Sequence, residues 1–377
     1  MDVKQIHLRQ KFSAADAVAL RAINPTLLIV FGSTDYFADG QLGKTLRQEF
    51  PQATVIGCST AGEIAGTTGH DNTLVITATA LPGSVLHAEA VAIAEGAASR
   101  ASGTLLGQAL TPHQPQSVFI LSPGLNVNGS DLVSGLQNAV GADVTITGGL
   151  AGDGGQFKLT YTLLNETIYT QHAVAVAFTH TAVKLGCGSQ GGWLPFGPER
   201  TVTRAEGNVL YELDGKSALQ LYKEYLGDKA KDLPRSGLLY PLLVRANRQD
   251  KTEIIRTILD IDEAKGSIIL AGSIENLSSA RLMHAKTEGL VEGARRAGVE
   301  SGAAANPSLA ILISCVGRKL VMGDDVDDEI AAVRQALGDK CVLTGFYSYG
   351  EIAPSKHSPA ALLQNQTMTI SHLQDAE

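Results

Sequence analysis

The sequence predicts an α/β fold: two packed α/β domains built from repeated units of strand, helix, strand and glycine turn. One turn occurs twice in the same frame, because residues 57–65 (GCSTAGEIA) and 345–353 (GFYSYGEIA) share Gly, four variable residues, Gly, Glu, Ile and Ala. A looser third copy, residues 147–153 (TGGLAGD), replaces the glutamate by aspartate. Each copy follows a short strand-like run, so each is predicted to be a strand that ends in a tight turn carrying one carboxylate.

The segments that flank these turns repeat in the same order, which favours an internal duplication. Before each turn the sequence predicts a buried strand, a loop and a helix, and the outer two turns are followed by an alternating strand. The predicted strand and helix are 27–32 and 42–50 before the first turn, 118–122 and 131–140 before the middle turn, and 309–314 and 327–337 before the last; the following strands are 73–77 and 366–370.

The remaining segments complete two domains. A chain of 377 residues is too long for one ordinary core, and we place the division near residue 215. We expect an N-terminal lead-in with a helix (1–25), a first domain (26–215) and a second domain (216–377). Further predicted elements are a helix at 14–23, a strand at 173–178, a glycine-rich strand region at 183–215, a helix at 217–226, strands at 238–244, 254–258 and 267–271, and a helix at 279–297.

Composition is that of a globular protein and argues against several kinds of partner. Hydrophobic residues make up 44% of the chain and charged residues 18%. A net charge of −8 offers no basic stripe, and no run approaches about 18 apolar residues, so we expect no nucleic-acid partner and no membrane insertion. The N-terminus lacks an apolar signal segment, which predicts a cytoplasmic protein. Four dispersed cysteines without zinc-ligand spacing predict reduced thiols: Cys58, Cys187, Cys315 and Cys341.

The sequence resembles the FIST family over nearly its whole length. It is similar to the N-terminal half of that family at residues 57–64, 148–153 and 201–215, and to the C-terminal half at 281–283 and 345–352. Residues 355–358 and 363–366 match only loosely the segment usual after the last glycine turn. The resemblance implies a FIST N-like domain over 26–215 and a FIST C-like domain over 216–377.

The resemblance also implies a function, a ligand-binding sensory module of bacterial signal transduction. Some stand-alone members that resemble this chain bind haem, sense nitric oxide and regulate a partner histidine kinase, and others have been proposed to sense small metabolites such as amino acids. The sequence shows no kinase or DNA-binding segment, so we expect the ligand state to be relayed to a separate protein. A haem needs an imidazole that faces a large apolar pocket, and the candidate histidines are His172 and His284.

Three carboxylates of the repeated turns are the first candidate ligand-binding residues: Glu63, Glu351 and Asp153. Strand ends in open α/β sheets face crevices where ligands collect, so duplicated turns can bring acidic side chains to one hollow. The alternative is structural, because a turn carboxylate can accept backbone N–H bonds from its own turn and hold it rigid.

Cys58, Ser59 and Thr60 lie within the first turn and are interpreted as a polar wall of the same pocket. A nucleophile elbow, G-x-S-x-G, would need glycine where Ala61 stands. We therefore expect a binding protein and not an enzyme. The rival hypothesis is a hydrolase or transferase that uses Ser59 or Cys58, and it requires a histidine within hydrogen-bond reach of either side chain.

Two tyrosines and an arginine complete the candidate site. Tyr347 and Tyr349 share one side of the last turn, where they can stack on a planar ligand or cover the core. Arg204 lies in a strand-like segment, so burial would require an anionic partner, either a ligand or a carboxylate of the protein. A third class of function, an interaction scaffold without a ligand, predicts a filled domain junction with no polar cavity.

Overall fold

The computed structural model describes residues 1–93, 98–179, 182–302 and 308–375, and it confirms the α/β class. The strands in chain order are β1 (Asp2–Leu8), β2 (Leu27–Gly32), β3 (Thr54–Ser59), β4 (Glu63–Ala65), β5 (Thr68–His70), β6 (Leu74–Ala80), β7 (Val85–Ala92), β8 (Ser117–Ser122), β9 (Thr145–Leu150), β10 (Thr162–Leu164), β11 (Thr167–Tyr169), β12 (His172–Thr179), β13 (Val183–Gln190), β14 (Leu194–Glu206), β15 (Val209–Leu213), β16 (Lys216–Ser217), β17 (Leu242–Arg245), β18 (Ile254–Arg256), β19 (Ile258–Asp262), β20 (Ser267–Leu270), β21 (Ser279–His284), β22 (Ser308–Cys315), β23 (Cys341–Ser348), β24 (Gly350–Ser355), β25 (Ser358–Gln364) and β26 (Met368–Asp375). The α-helices are α1 (Ala14–Arg21), α2 (Gln41–Glu49), α3 (Ser99–Leu110), α4 (Gly129–Val140), α5 (Ala218–Leu226), α6 (Thr287–Glu300), α7 (Val316–Met322) and α8 (Val326–Leu337).

Three 6-stranded sheets have the same internal arrangement. Their orders are β1-β6-β2-β3-β10-β11, β7-β12-β8-β9-β24-β25 and β13-β26-β22-β23-β4-β5. In each sheet one parallel pair (β2 with β3, β8 with β9, β22 with β23) lies at the centre, and all other neighbours are antiparallel. The long connection inside each parallel pair contains a helix (α2, α4 or α8), as parallel strands require.

The strands that follow the three glycine turns leave their own sheet and join another. The β4–β5 hairpin, after the first turn, pairs with β23. The β10–β11 hairpin, after the middle turn, pairs with β3, and the β24–β25 hairpin, after the last turn, pairs with β9. The three sheets therefore exchange strands in a closed ring, and the glycine turns are the points of exchange.

Alternating side chains of the central strands divide the core into an inner and an outer part. In β2, Leu27, Ile29 and Phe31 belong to a buried cluster that also contains side chains of β8, β12, β22 and β23. Leu28 and Val30 point to the other face, where they pack with α1 and α2. Since side chains of a strand alternate between faces, continuous apolar strands of this kind require cover on both sides.

A fourth, 8-stranded sheet (β18-β17-β21-β14-β15-β20-β19, with β16 beside β15) lies between β13 and α6 in the chain. Its core is formed with α5 and contains Val202, Tyr222 and Leu282. The proposed boundary at residue 215 stays a prediction. The two predicted domains share sheets, because β13 pairs with β26 and β24 pairs with β9. Among the described residues, no helix is long and apolar enough to cross a membrane.

Three segments differ from the predicted elements. A strand was predicted at 238–244, but residues 235–239 form a 3-10 helix and β17 starts only at Leu242. Residues 279–284 were expected to begin a helix, but they form β21, which pairs with β14 and β17, and the helix starts only at Thr287. The alternation explains the strand, since Leu282 packs in the core of the 8-stranded sheet and Met283 in a separate cluster with Trp193. The predicted lead-in contains a strand that the sequence analysis missed, β1, which pairs with β6.

Candidate ligand-binding site

Glu63 and Glu351 occupy matching hydrogen-bond networks. The Glu63 carboxylate accepts a hydrogen bond from the Thr60 hydroxyl. It also accepts two from Thr73, one from the backbone N–H at 3.0 Å and one from the side-chain hydroxyl at 2.7 Å. The Glu351 carboxylate accepts from the Ser348 hydroxyl at 2.7 Å and from the Thr367 N–H and hydroxyl at 3.1 and 2.9 Å. Both glutamates are buried. Each carboxylate thus joins its turn to the residue that precedes the next long strand, which supports the structural interpretation of these two residues.

Burial of Glu351 makes the stability of the protein depend on pH. Burial raises the pKa of Glu351 from 4.5 to about 7, although the hydrogen bonds from Ser348 and Thr367 lower it. The folded protein therefore holds this proton more tightly than the unfolded chain, so the free energy of unfolding falls as the pH rises from about 4.5 to about 7. The expected loss over that window is about 3 kcal/mol.

The E351Q variant should lose this part of the pH dependence, because an amide has the shape of the protonated acid and cannot ionise. Its free energy of unfolding should exceed that of the wild type by up to about 3 kcal/mol above pH 7, and the difference should be smallest near pH 4. Urea unfolding between pH 4 and pH 8 measures this difference, with the exposed Glu206→Gln as the control. Parallel pH profiles for E351Q and wild type would show that Glu351 has the same pKa in the folded protein as in the unfolded chain.

Asp153 closes its own loop. Its carboxylate accepts four backbone hydrogen bonds at 2.6–3.1 Å, from the N–H groups of residues 156–159, and one from the Tyr349 hydroxyl. Burial raises its pKa, but the hydrogen bonds outweigh burial and the net direction is downward. Asp153 lines a cavity of about 220 Å³ that also contains Asp35 and Lys158. Since the loop already uses both carboxylate oxygens, Asp153 offers little to a ligand.

The residues before Glu63 face the interior. The Cys58 thiol is buried in the cluster that joins the sheets, and burial raises its pKa. The Ser59 hydroxyl donates to the carbonyl of Gly152 at 2.7 Å and accepts from the N–H of Tyr161 at 2.9 Å. Neither partner of Ser59 is a base, so the described contacts provide no activated nucleophile.

The tyrosines and the arginine lie in three different environments. The buried Tyr347 donates to Glu329 at 3.2 Å, and Tyr349 stacks on Phe157 with a centroid separation of 4.4 Å. Arg204 is more than half exposed and pairs with Glu212 at 3.1 Å. The structure therefore joins Tyr349 to Asp153 and Thr60 to Glu63, as described above, but it leaves Arg204 on the surface.

The two candidate haem ligands, His172 and His284, each lie against an aromatic ring. The His172 ring stacks on Tyr169 with centroids 4.4 Å apart, and burial lowers its pKa. The His284 ring meets Phe196 edge to face at 6.1 Å. Neither histidine lines any of the five cavities described. Within the described ranges no three His, Cys, Asp or Glu side chains gather as a metal site. Neither imidazole therefore faces a described cavity, as an axial haem ligand would have to do.

The largest of the five described cavities measures about 850 Å³ and lies between the first turn of α4 and the segment after β20. Its lining is mostly amide, carboxylate and backbone: Ile93, Asn126, Val127, Asn128, Gly129, Asp131, Gln171, Asn208, Ala271 and Gly272. Asn128 caps α4 by accepting from the N–H of Asp131 at 3.1 Å, and it donates to Ser273 at 3.1 Å across the cavity wall. The arrangement offers hydrogen bonds to a polar ligand and no basic side chain.

Sequence reasoning missed these residues, although one signal was present. The run Asn126-Val127-Asn128-Gly129 follows a buried strand and precedes a helix, and asparagine with an acid three residues later is typical of a helix N-terminus. That signal predicts the N-cap. The opposite wall, Ala271 and Gly272, has no sequence feature that points to a ligand.

Taken together, the fold and the cavity define a mixed α/β protein with a polar cavity between two of its sheets. Residues 26–216 match the FIST N domain and residues 218–354 match the FIST C domain. The chain belongs to the FIST family, whose domains are associated with sensing in signal transduction.

Two relatives and one solved structure are similar to this chain over most of its length. The chain is similar to Uncharacterized protein MT0656 and to Uncharacterized protein Rv0628c of two Mycobacterium tuberculosis strains, CDC 1551 / Oshkosh and ATCC 25618 / H37Rv. Each is 25% identical in an alignment of 366 residues, and the alignment covers 91% of this chain and 91% of the relative. The crystal structure of cyanuric acid hydrolase from A. caulinodans covers 100% of this chain and 99% of its own, at 8% identity and a TM-score of 0.40. That likeness is too distant to bear on function.

Proposed function

We propose that this protein is a sensor that binds a small polar metabolite in the 850 Å³ cavity and relays its ligand state to a separate signalling protein. The observation that supports it is the composition of the cavity wall. Asn126, Asn128 and Asn208 belong to the segment that matches FIST N, and Ala271 and Gly272 belong to the segment that matches FIST C. A ligand there would touch both segments at once.

The lining favours a ligand rich in hydrogen-bonding groups. Three asparagines and one glutamine can donate or accept, and Asp131 accepts, with one of its oxygens already bonded to Arg100 at 2.7 Å. An amino acid or a similar small metabolite, with an ammonium group near Asp131, suits this wall. A haem does not, because none of the lining residues is a histidine, cysteine, methionine or tyrosine.

The relay would follow from the position of the cavity. A ligand shifts a conformational equilibrium only by its differential affinity for the two states, so a ligand that bridges two segments favours the state in which they are closest. We propose that a partner such as a histidine kinase distinguishes these states. Binding of this kind needs no reaction, so we propose a binding protein and not a hydrolase or transferase that uses Ser59 or Cys58.

A thermal-shift screen with amino acids, organic acids and nucleosides tests the proposal. A ligand at about a hundred times its Kd stabilises by about 2.7 kcal/mol, which for a chain of this size raises Tm by roughly 5 °C. Ala271→Phe narrows the cavity and should remove that shift, whereas the same substitution at the exposed Ala15 of α1 should retain it. A screen without any stabilising compound, or hits that stabilise A271F and wild type equally, would contradict the proposal.

A further inference from the structure

A second cavity contains a buried arginine that has no carboxylate partner. Arg256, at the end of β18, is 5% exposed. Its Nε donates to the carbonyl of Ser273 at 2.9 Å, and its Nη1 donates to the carbonyls of Leu363 and Ile255 at 3.0 and 3.3 Å. In the described part of the chain no carboxylate lies within 4.0 Å of it, and its Nη2, with two N–H groups, makes no hydrogen bond.

The charge of Arg256 persists at neutral pH although it is costly. Burial lowers the pKa of Arg256 to about 10, and no nearby charge contributes to that shift. Carbonyl oxygens offset part of the desolvation of a guanidinium, but a buried charge is ordinarily paired. Arg318, the other buried arginine of the described residues, follows that rule, because it forms a 2.8 Å ion pair with Glu329. Arg256, in contrast, has no anionic partner in the described chain. An anion from outside the chain would supply one.

The cavity beside Arg256 is built to receive one. It measures about 160 Å³ and lies against α4, on a face of the helix different from the one that borders the larger cavity. Its lining consists of Ser130, Ser134, Gln137, Asn138, Arg256 and residues 360–363. The Ser130 hydroxyl is buried there without a hydrogen-bond partner among the described residues. Ser130 belongs to the first turn of α4, where the helix dipole favours negative charge.

The neighbouring polar groups leave the positive charge uncompensated. Gln137 is fully used, because its amide donates to Gly141 and Val144 and its oxygen accepts from Ala361. The carboxylate of Asp131, in the same turn of α4, is bonded to Arg100. Two unused N–H groups, one unused hydroxyl and a helix N-terminus therefore remain in a space large enough for a few heavy atoms.

We propose that this cavity is a binding site for a small oxyanion, a carboxylate or a phosphate, held by Arg256 and Ser130. A guanidinium edge and a hydroxyl match the paired oxygens of either group. The inference is independent of the proposed function, because the oxyanion site has its own lining residues. Two probes distinguish the possible ligands. Acetate carries the carboxylate group of an organic acid, and inorganic phosphate represents free phosphate.

Calorimetry and thermal shift with sodium phosphate and with sodium acetate, each at constant ionic strength set by sodium chloride, test the site in the full chain. We expect saturable binding of at least one probe, and weakening by roughly tenfold to a hundredfold in Arg256→Met. The control is Arg204→Met, because Arg204 is an exposed surface arginine. This variant should bind the probes like the wild type. A response to acetate alone identifies an organic acid as the ligand class, and a response to phosphate alone identifies phosphate.

A second variant keeps the test decisive if R256M does not fold. Ser130→Glu places a carboxylate in the cavity, so it should raise Tm in chloride buffer without phosphate or acetate and abolish the response to both probes. Gln41→Glu adds the same charge to the first turn of α2, away from the cavity, and should retain the response. The proposal is overturned if neither probe binds the wild type more than chloride does, or if S130E responds as the wild type does.

Discussion

Replacing Glu329 by alanine is expected to lower the free energy of unfolding by about 3–5 kcal/mol, because it leaves the buried Arg318 without its counterion. Both side chains are fully buried. The Nε and Nη2 of Arg318 donate to one oxygen of Glu329 at 3.0 and 2.8 Å. The other oxygen accepts from the hydroxyls of Ser314 at 2.9 Å and Tyr347 at 3.2 Å, so the substitution also strands two hydroxyls.

The loss should spread beyond α8, since Arg318 connects several segments. Its Nη1 donates to the carbonyl of Gly191 at 2.5 Å and its Nη2 to that of Leu290 in α6 at 2.9 Å. Without Glu329 the guanidinium has to take up water or move, and either change loosens these connections. Thermal unfolding should show a Tm roughly 6–9 °C lower than that of the wild type.

The matched control is Glu292→Ala. Glu292 also bonds two arginines, Arg295 and Arg296, but on the exposed surface of α6, where ion pairs contribute little. Its Tm should stay close to that of the wild type. The double variant Arg318→Met, Glu329→Leu should recover part of the loss, because replacing both members of a buried pair by apolar groups removes the stranded charge. Equal Tm values for E329A and E292A would show that the buried pair is not a determinant of stability.

The parts of the fold that could be predicted from sequence are local. The buried strands β2, β8 and β22 each read as an apolar run, and each was followed by a loop and a helical pattern at about the right place. The glycine turns are shorter than predicted, because residues 57–59 belong to β3, 147–150 to β9 and 345–348 to β23. Glu63 and Glu351, predicted as turn residues, lie in the strands β4 and β24. The prediction was wrong at β21, where a helix was expected from residue 279. The side chains of these six residues alternate between two hydrophobic clusters, but the segment directly precedes a helix and resembles its start.

The strand exchange could not be predicted, because it depends on pairings between residues far apart in sequence. Glu63 pairs with Phe346 and Glu351 pairs with Gly149, and nothing in the turns specifies a partner sheet. The largest cavity escaped prediction for the same reason, as Asn128 and Gly272 meet only in the folded chain. Arg256 gave no signal at all, since an arginine in a strand is usually exposed or paired.

The repeated carboxylates show that a repeat can have two explanations. A motif that recurs in one chain suggested a shared ligand, yet Glu63 and Glu351 each bond their own turn and a threonine ten or more residues ahead. The ligand-binding and the structural interpretation predict the same sequence pattern. A carboxylate that stabilises its turn is duplicated together with the turn, as a ligand-binding carboxylate would be. Only the hydrogen-bond partners distinguish them.

Replacing Gly345 by alanine is expected to destabilise the protein by about 3 kcal/mol or more, at the upper end of overpacking effects. An added Cβ would lie 1.9 Å from the carbonyl oxygen of Leu312, the residue opposite on β22. The same contact recurs in the other two parallel pairs, at 2.3 Å for Gly57 and 1.8 Å for Gly148. No side-chain rotation relieves it, since the neighbour is backbone, so the central pair of the sheet has to separate.

The control lies in the same sheet, where Gly69 of β5 has its nearest neighbours at 3.6 Å, ordinary van der Waals contact. Gly69→Ala should change the free energy of unfolding by less than about 0.5 kcal/mol, because neither its space nor its backbone conformation excludes a methyl group. Urea unfolding of G345A, G69A and the wild type provides the comparison. If G345A unfolds at the same urea concentration as G69A, close strand approach does not explain the first glycine of the repeated turn, and a role in ligand access becomes the better explanation.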